Sequence, residues 1–322
     1  MLKSCKALSV LLAVVLVLGS FAAIAEEAPG KTIGIAIYSM AADSCVSLVE
    51  DARAVADELG WEIVLLDANG DPATQADQIA TLVSMNVDAI ILNPTDTTSL
   101  IPSVQDAVNA GIPVAGVGME MDQAGMDLLL FFAGMDDYNV AFTGCEWIVE
   151  QHAGQGAEVA LITGAAGTDA SNKTVAAYED CLAESDLVSV GVYDGMFDTA
   201  ESMAITEDLL VQYPDIKAIY CADHVMAAGA AEAIVDAGLE GTIDVVAAVG
   251  VTDYLSYVEE GLITCAAYVL IYKAGSFAVQ TLADYFDGET ELASKYYVAP
   301  VIVTTENVAD AANIEFVFDP VQ

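Results

Sequence analysis

A short acidic segment has the spacing with which proteins begin a calcium-binding loop. Asp67, Asn69 and Asp71 stand at alternate positions, as the first three oxygen ligands of such a loop do. The sixth position, which needs glycine, is Pro72, and the twelfth, which needs glutamate, is Gln78. These departures favour a turn followed by a helix cap, and we expect no metal site here.

Residue types that carry out catalysis are scarce. The chain has two histidines, His152 and His224, and neither a G-x-S-x-G elbow nor an H-E-x-x-H pair. The loop GAAGT at 164–168 lacks the lysine of a phosphate-binding loop. The six cysteines show no C-x-x-C spacing, and we interpret most of them as small buried hydrophobic residues. We therefore predict a protein that is not an enzyme and that uses no cofactor.

The charge balance restricts the partners of this protein. Eight basic residues stand against 49 acidic ones, giving a formal net charge of -41. Such a surface repels nucleic acid and anionic lipid. An anionic ligand is disfavoured as well, because few cations are available to pair with it.

The N-terminus has the pattern of a secretory signal peptide. Lys3 and Lys6 precede an apolar stretch over 7–18, and Ala23-Ile24-Ala25 follows, as in a small-x-small cleavage site. We predict a signal peptide over residues 1–25 and export to the periplasm or to the extracellular side of the envelope. An uncleaved membrane anchor is the alternative, but the apolar core is short for a membrane span.

The elements that position polar residues are best seen over 88–118, DAIILNPTDTTSLIPSVQDAVNAGIPVAGVG. An apolar run without alternation predicts a buried parallel strand, and a helix and a second buried strand follow it. The polar residues NPTD stand at the carboxyl end of the first strand, where open α/β sheets bind ligands. Similar strand–helix units run from residue 32 to 133 and begin again after residue 138. The sequence therefore predicts an α/β protein of two doubly wound, Rossmann-like parallel-sheet lobes.

The order of these motifs resembles the periplasmic sugar-binding proteins of the ribose and galactose type. Beyond NPTD and AGIPV, the segments that carry the resemblance are CVSLVEDARAVADELGW at 45–61, GAAGTDAS at 164–171, DGMFD at 194–198 and YPDIKAIYCADHVMAAGAAEAI at 213–234. Each motif alone is weak, but their order is specific and covers nearly the whole chain after the signal peptide.

The resemblance implies a fold, a function and partners. The chain would cross between its lobes about three times, near 134, 269 and 298. The N-terminal lobe would comprise 31–134 plus 270–298, and the C-terminal lobe 135–269 plus 299–322. The protein would be a monomer that captures a small sugar-like ligand between the lobes and delivers it to an ABC permease. Repressors with this fold need N-terminal DNA-binding helices, which a signal peptide replaces here.

Two alternatives remain open at this level. The ligand-bound protein, with its lobes closed, could be recognised by a membrane receptor instead of a permease, because both partners contact lobe surfaces. The ligand could also be a cationic or nucleoside-like solute instead of a sugar.

Carried over by position, the resemblance gives eight ligand-binding candidates: Asp43, Met119, Glu120, Asp136, Asn172, Phe197, Asp223 and Tyr268. Asp43 has helix capping as an alternative role, Asp223 is expected to cap its helix, and Phe197 has core packing as an alternative. The arginine and the stacking aromatic residues of the family are missing, and the set contains no cation. We therefore expect weak binding of ribose and galactose, and we favour a neutral polyol, an unusual sugar or a cationic solute.

Overall fold

The computed structural model describes residues 30–321, and the predicted signal peptide lies outside these residues. The strands, in chain order, are β1 Thr32–Ile37, β2 Glu62–Asp67, β3 Ala89–Leu92, β4 Val114–Gly118, β5 Phe131–Gly134, β6 Glu158–Thr163, β7 Val188–Asp194, β8 Ala218–Cys221, β9 Asp244–Val249, β10 Cys265–Tyr268, β11 Lys295–Val298, β12 Val301–Thr304 and β13 Phe318–Val321. The α-helices are α1 Asp43–Glu58, α2 Pro72–Met85, α3 Ile101–Asn109, α4 Gln123–Met126, α5 Asp137–His152, α6 Asp169–Ala183, α7 Thr199–Gln212, α8 His224–Asp236, α9 Leu255–Glu259 and α10 Ala274–Phe286. Short 3₁₀ turns span Thr252–Tyr254, Ile271–Lys273 and Val308–Asn313.

The strands form two separate sheets, one in each lobe. The first has the order β13-β11-β5-β4-β3-β1-β2 and the second the order β12-β10-β9-β8-β6-β7. Pairing is parallel except for β13 on β11 and β12 on β10, which are antiparallel. The predicted fold class, two doubly wound α/β lobes, is confirmed.

Each sheet is covered by helices on both faces, which explains why the strands have no polar–apolar alternation. In β1, Ile33 and Ile35 pack with α1 and α10, whereas Ala36 faces the opposite cluster with Leu82 and Val104 of α2 and α3. The five described cysteines are buried and unpaired, as predicted for small core residues.

Local sequence sets where the helices begin. Asp71 accepts hydrogen bonds from the backbone N–H groups of Ala73 and Thr74, and Pro72 occupies the first turn of α2. Proline suits this position because the N–H that it lacks has no partner within the helix. Asp71 therefore acts as the helix cap that we preferred to a calcium ligand.

A proline divides the C-terminal segment between the two sheets. Ala299-Pro300 separates β11 in the first sheet from β12 in the second. Proline has no N–H for a strand ladder, so the chain changes sheet there.

The last strand also corrects the predicted lobe boundary. Residues 299–322 were assigned to the C-terminal lobe, yet β13 pairs with β11 in the first sheet. Phe318 stacks on Phe277 of α10 with ring centroids 4.4 Å apart, and this apolar contact stabilises the end of the chain on the first lobe. The strand order therefore requires a fourth passage between the sheets, between the end of β12 and the beginning of β13. The other lobe boundaries stay predictions.

Candidate ligand-binding cleft

A cavity of about 470 Å³ lies between the two lobes. Its first-lobe wall is the beginning of α1, and its second-lobe wall is the beginning of α8 with the turn after β9. The lining residues are Asp43, Ser44, Val46, Ser47, His224, Val251, Thr252, Asp253, Tyr254 and Tyr272. This volume falls within the range of small-molecule sites.

Half of the ten lining residues carry an aromatic ring or a carboxylate, and the others are serines, a threonine and valines. Aromatic rings come from His224 and Tyr254, whose centroids are 4.3 Å apart, and Tyr254 stacks in turn on Tyr257 at 5.6 Å. Carboxylates come from Asp43 and Asp253. None of the described residues that line the cavity is a lysine or an arginine.

Asp43 lies where the sequence placed a candidate ligand contact, but it is not the helix cap. The N-cap residue of α1 is Ala42, which has no side chain able to cap, and Asp43 is the first residue of the helix. A carboxylate in the first turn is stabilised by the positive end of the helix dipole. The capping alternative for Asp43 is wrong, and its carboxylate lines the cavity.

Asp223 does cap its helix, as expected. Its carboxylate accepts a hydrogen bond from the N–H of Met226 at 2.8 Å. Burial raises the pKa of Asp223, although the N–H donor of Met226 acts in the opposite direction. Burial lowers the pKa of the adjacent His224, and the charge of Asp223 opposes that shift only in part. The imidazole on the cavity wall is therefore held towards its neutral form.

Comparison with known proteins identifies the family. The sequence pattern of the periplasmic binding protein domain matches residues 33–290. The chain belongs to the periplasmic binding protein family. The ribose import binding protein of Bacillus subtilis is 26% identical over 85% of this chain and 87% of its own length.

Solved structures share the fold of this binding protein. A periplasmic ribose ABC transporter protein of Conexibacter woesei superposes with a TM-score of 0.81 at 22% identity, covering 90% of this chain and 96% of its own. A periplasmic solute-binding protein of Actinobacillus succinogenes with bound D-allose superposes with a TM-score of 0.74 at 24% identity, covering 87% and 99%. No helix in the described range 30–321 has the length and apolarity required to span a bilayer.

Glu120 and Asp136 lie in a second cluster, near the passage from β5 to α5. Glu120 pairs with Lys295 at 3.0 Å and accepts a hydrogen bond from the hydroxyl of Tyr297. Asp136 caps α5 by accepting from the N–H of Tyr138 at 3.1 Å. Both are therefore bound to groups of the protein and are absent from the residues that line the 470 Å³ cavity.

Lysines join this second cluster, whereas the set of residues predicted from the sequence contains no cation. Besides Lys295, the ammonium of Lys173 pairs with Asp169 at 2.8 Å, and the charges of Glu120 and Asp137 help to raise the pKa of Lys173 against the effect of burial. Lys173 directly follows the predicted candidate Asn172 in the sequence, but it was not among the predicted ligand-binding residues. The contact of Lys295 with Glu120 could not be predicted from the sequence, because only the pairing of β11 with β5 brings the two residues together.

Asn172 and Phe197 lie on the second lobe, apart from the larger cavity. Asn172 is exposed and lines a pocket of about 180 Å³ with Thr163 and Asp194. Phe197 is 44% exposed, which makes its core alternative wrong, and its ring lies against Gly164, where a Cβ atom would be 1.9 Å from the ring.

The last two candidates, Met119 and Tyr268, differ in exposure. Met119 is 44% exposed in the turn after β4. Tyr268 is fully buried and packs on Phe316 with centroids 5.5 Å apart. Burial raises the pKa of Tyr268, and its hydroxyl has no hydrogen-bond partner among the described residues. The eight candidates thus do not share one cavity, and only Asp43 lines the large one.

Proposed function

We propose that this chain is an exported solute-binding protein that captures a sugar or sugar-like molecule between its lobes. It would act as a monomer and deliver the ligand to an ABC permease. Relatives named for ribose and allose binding support a sugar as the ligand. A permease as partner is supported by relatives named as import binding proteins. We propose binding without catalysis.

The observation that carries the proposal is the composition of the cavity wall. Residues of α1 form one side, and residues of α8 and of the turn after β9 form the other. A ligand that bonds to both walls links the lobes, and the aromatic rings offer apolar faces beside carboxylate and hydroxyl groups. This combination suits a small molecule with hydroxyl edges and C–H faces.

Among the eight candidates, we propose direct ligand contact for Asp43 and an indirect role for Asp223. Asp43 lines the cavity from the first lobe. Asp223 fixes the beginning of α8 and therefore positions the ring of His224. Contact by Glu120, Asp136, Asn172, Phe197, Met119 and Tyr268 would require a movement that brings their segments to the same ligand.

The test is calorimetry and thermal unfolding with ribose, galactose, allose, xylitol and myo-inositol. A ligand at 100 times its dissociation constant adds about 2.7 kcal/mol to the free energy of unfolding. We expect at least one sugar or polyol to give such a shift. We expect ribose and galactose to bind weakly, because none of the described lining residues is an arginine, which could donate two hydrogen bonds at once.

A matched pair of variants locates the binding. Ser47→Phe places a ring in the cavity and should abolish the thermal shift. Ser84→Phe makes the same change at an exposed position of α2 and should leave it intact. Absence of binding by every sugar and polyol, or full binding by Ser47→Phe, would contradict the proposal.

A further inference from the structure

We propose that the ligand carries a protonated amine, and that the class it belongs to is the amino sugars. This inference rests on the proposed function and makes its ligand more specific. It is drawn from the charges and the rings that meet in the cavity between the lobes.

The electrostatic balance at the wall favours a cation. Asp43 approaches the cavity from the first lobe and Asp253 from the second. Lys273 follows the lining residue Tyr272, and its ammonium lies 5.4 Å from the centroid of the Tyr272 ring and pairs with Asp51 at 2.6 Å. The carboxylate of Asp51 therefore balances this charge, and none of the described residues that line the cavity is a lysine or an arginine. A protonated amine between the walls would meet carboxylates from both lobes.

The aromatic groups act in the same direction. His224 and Tyr254 present rings 4.3 Å apart at the cavity. A cation is attracted to the face of an aromatic ring and gains most where water is excluded. Because burial lowers the pKa of His224, its ring is neutral near pH 7 and does not repel a cationic ligand.

A neutral sugar would satisfy this wall less well. Carboxylates only accept hydrogen bonds, whereas an ammonium group only donates them, up to three at a time. Hydrogen bonds to charged groups are also stronger than those between neutral groups. Replacing one ligand hydroxyl by an ammonium therefore pairs donors with the acceptors that the lining supplies.

The experiment compares three ligands with the same ring: D-glucosamine, N-acetyl-D-glucosamine and D-glucose, with the galactose series as a second set. Calorimetry at about pH 6.5 keeps most of the free amine protonated. We expect the amino sugar to bind at least about tenfold more tightly than its neutral parent. We expect the N-acetyl form, which has lost the charge, to resemble the parent.

Charge variants test the residues. Asp43→Asn and Asp253→Asn should each reduce the affinity for the amino sugar several-fold more than they reduce the affinity for the neutral parent. Asp57→Asn is the matched control, because it removes one charge from an exposed position near the other end of α1. It should change neither affinity.

The outcomes separate this inference from the proposed function. If a neutral parent sugar binds as tightly as its amino form, the inference is overturned and sugar binding stands. Equal effects of Asp43→Asn and Asp57→Asn would also overturn it. If no sugar in either proposed panel binds, the proposed function fails together with this inference.

Discussion

His224 lies between groups that act on its charge in opposite directions. The ring of Tyr254 packs against the imidazole with centroids 4.3 Å apart, and Asp223 precedes His224 in the chain. Asp43 and Asp253 line the same cavity as His224. Burial outweighs the charge of Asp223 and places the pKa of His224 below its ordinary value of 6.5.

The pH dependence of stability follows from this shift. A group whose folded-state pKa is lowered contributes stability above its unfolded pKa and loses it as the pH falls through the folded pKa. We expect the folded protein to lose stability below about pH 6.5, and His224→Gln to reduce that loss. Asp223, whose pKa is raised, contributes in the opposite sense, so the difference between His224→Gln and wild type over the same pH range isolates the histidine.

NMR of the imidazole protons measures the shift directly. The chain has two histidines, so the spectrum of His152→Gln assigns the signals. A titration of His224 at or above pH 6.5 would contradict the structural argument.

At the residue level, sequence could locate groups that act through their immediate neighbours. Asp223 precedes a helix, and its capping role followed from that position. Lys295 could not be connected with Glu120, because they are 175 positions apart and meet only after β11 joins β5. The aromatic pair of His224 and Tyr254 was missed for the same reason.

At the level of elements, buried apolar runs and glycine-terminated helices were sufficient to predict the two doubly wound sheets. The pattern that identifies one such strand or helix lies within roughly ten to twenty consecutive residues. The end of the chain was harder, because β11, β12 and β13 are short and each is placed by a partner far away in sequence. Pro300 indicates in the sequence that the chain breaks between β11 and β12. No local pattern in the sequence indicates the contact of Phe318 with Phe277.

The packing of α10 on α1 provides a prediction for stability. A Cβ atom at Gly275 would lie 2.2 Å from the backbone oxygen of Leu48. Gly275→Ala gains about 1 kcal/mol of helix propensity but must separate two backbones, and overpacking costs about 1–3 kcal/mol or more. We expect net destabilisation in chemical unfolding experiments.

Gly250→Ala is the control for that substitution. Its added Cβ would meet the backbone oxygen of Val269 at 3.7 Å, an ordinary contact. Stability should change little there. Equal stability of Gly275→Ala and wild type would mean that α1 and α10 can separate at no cost.

At the level of the whole molecule, the chain passes between its sheets at several points and leaves a cavity lined from both lobes. Tyr272, in the 3₁₀ turn between β10 and α10, joins residues of α1 and α8 on the wall. Passages of the chain between two lobes permit the lobes to rotate about them, as in hinged domain closure. The sequence predicted two lobes, but which side chains face each other across the cleft depends on how the lobes are oriented.

A ligand bound to both walls should shift this molecule towards a more closed state. Such a ligand binds the closed form better than the open one, and only that difference in affinity moves the population. We expect the radius of gyration from small-angle X-ray scattering to decrease when the ligand identified by calorimetry is saturating. Ser47→Phe, with the same ligand concentration, should show no ligand-dependent change. An unchanged scattering profile for wild type under conditions of proven saturation would mean that binding occurs without closure of the lobes.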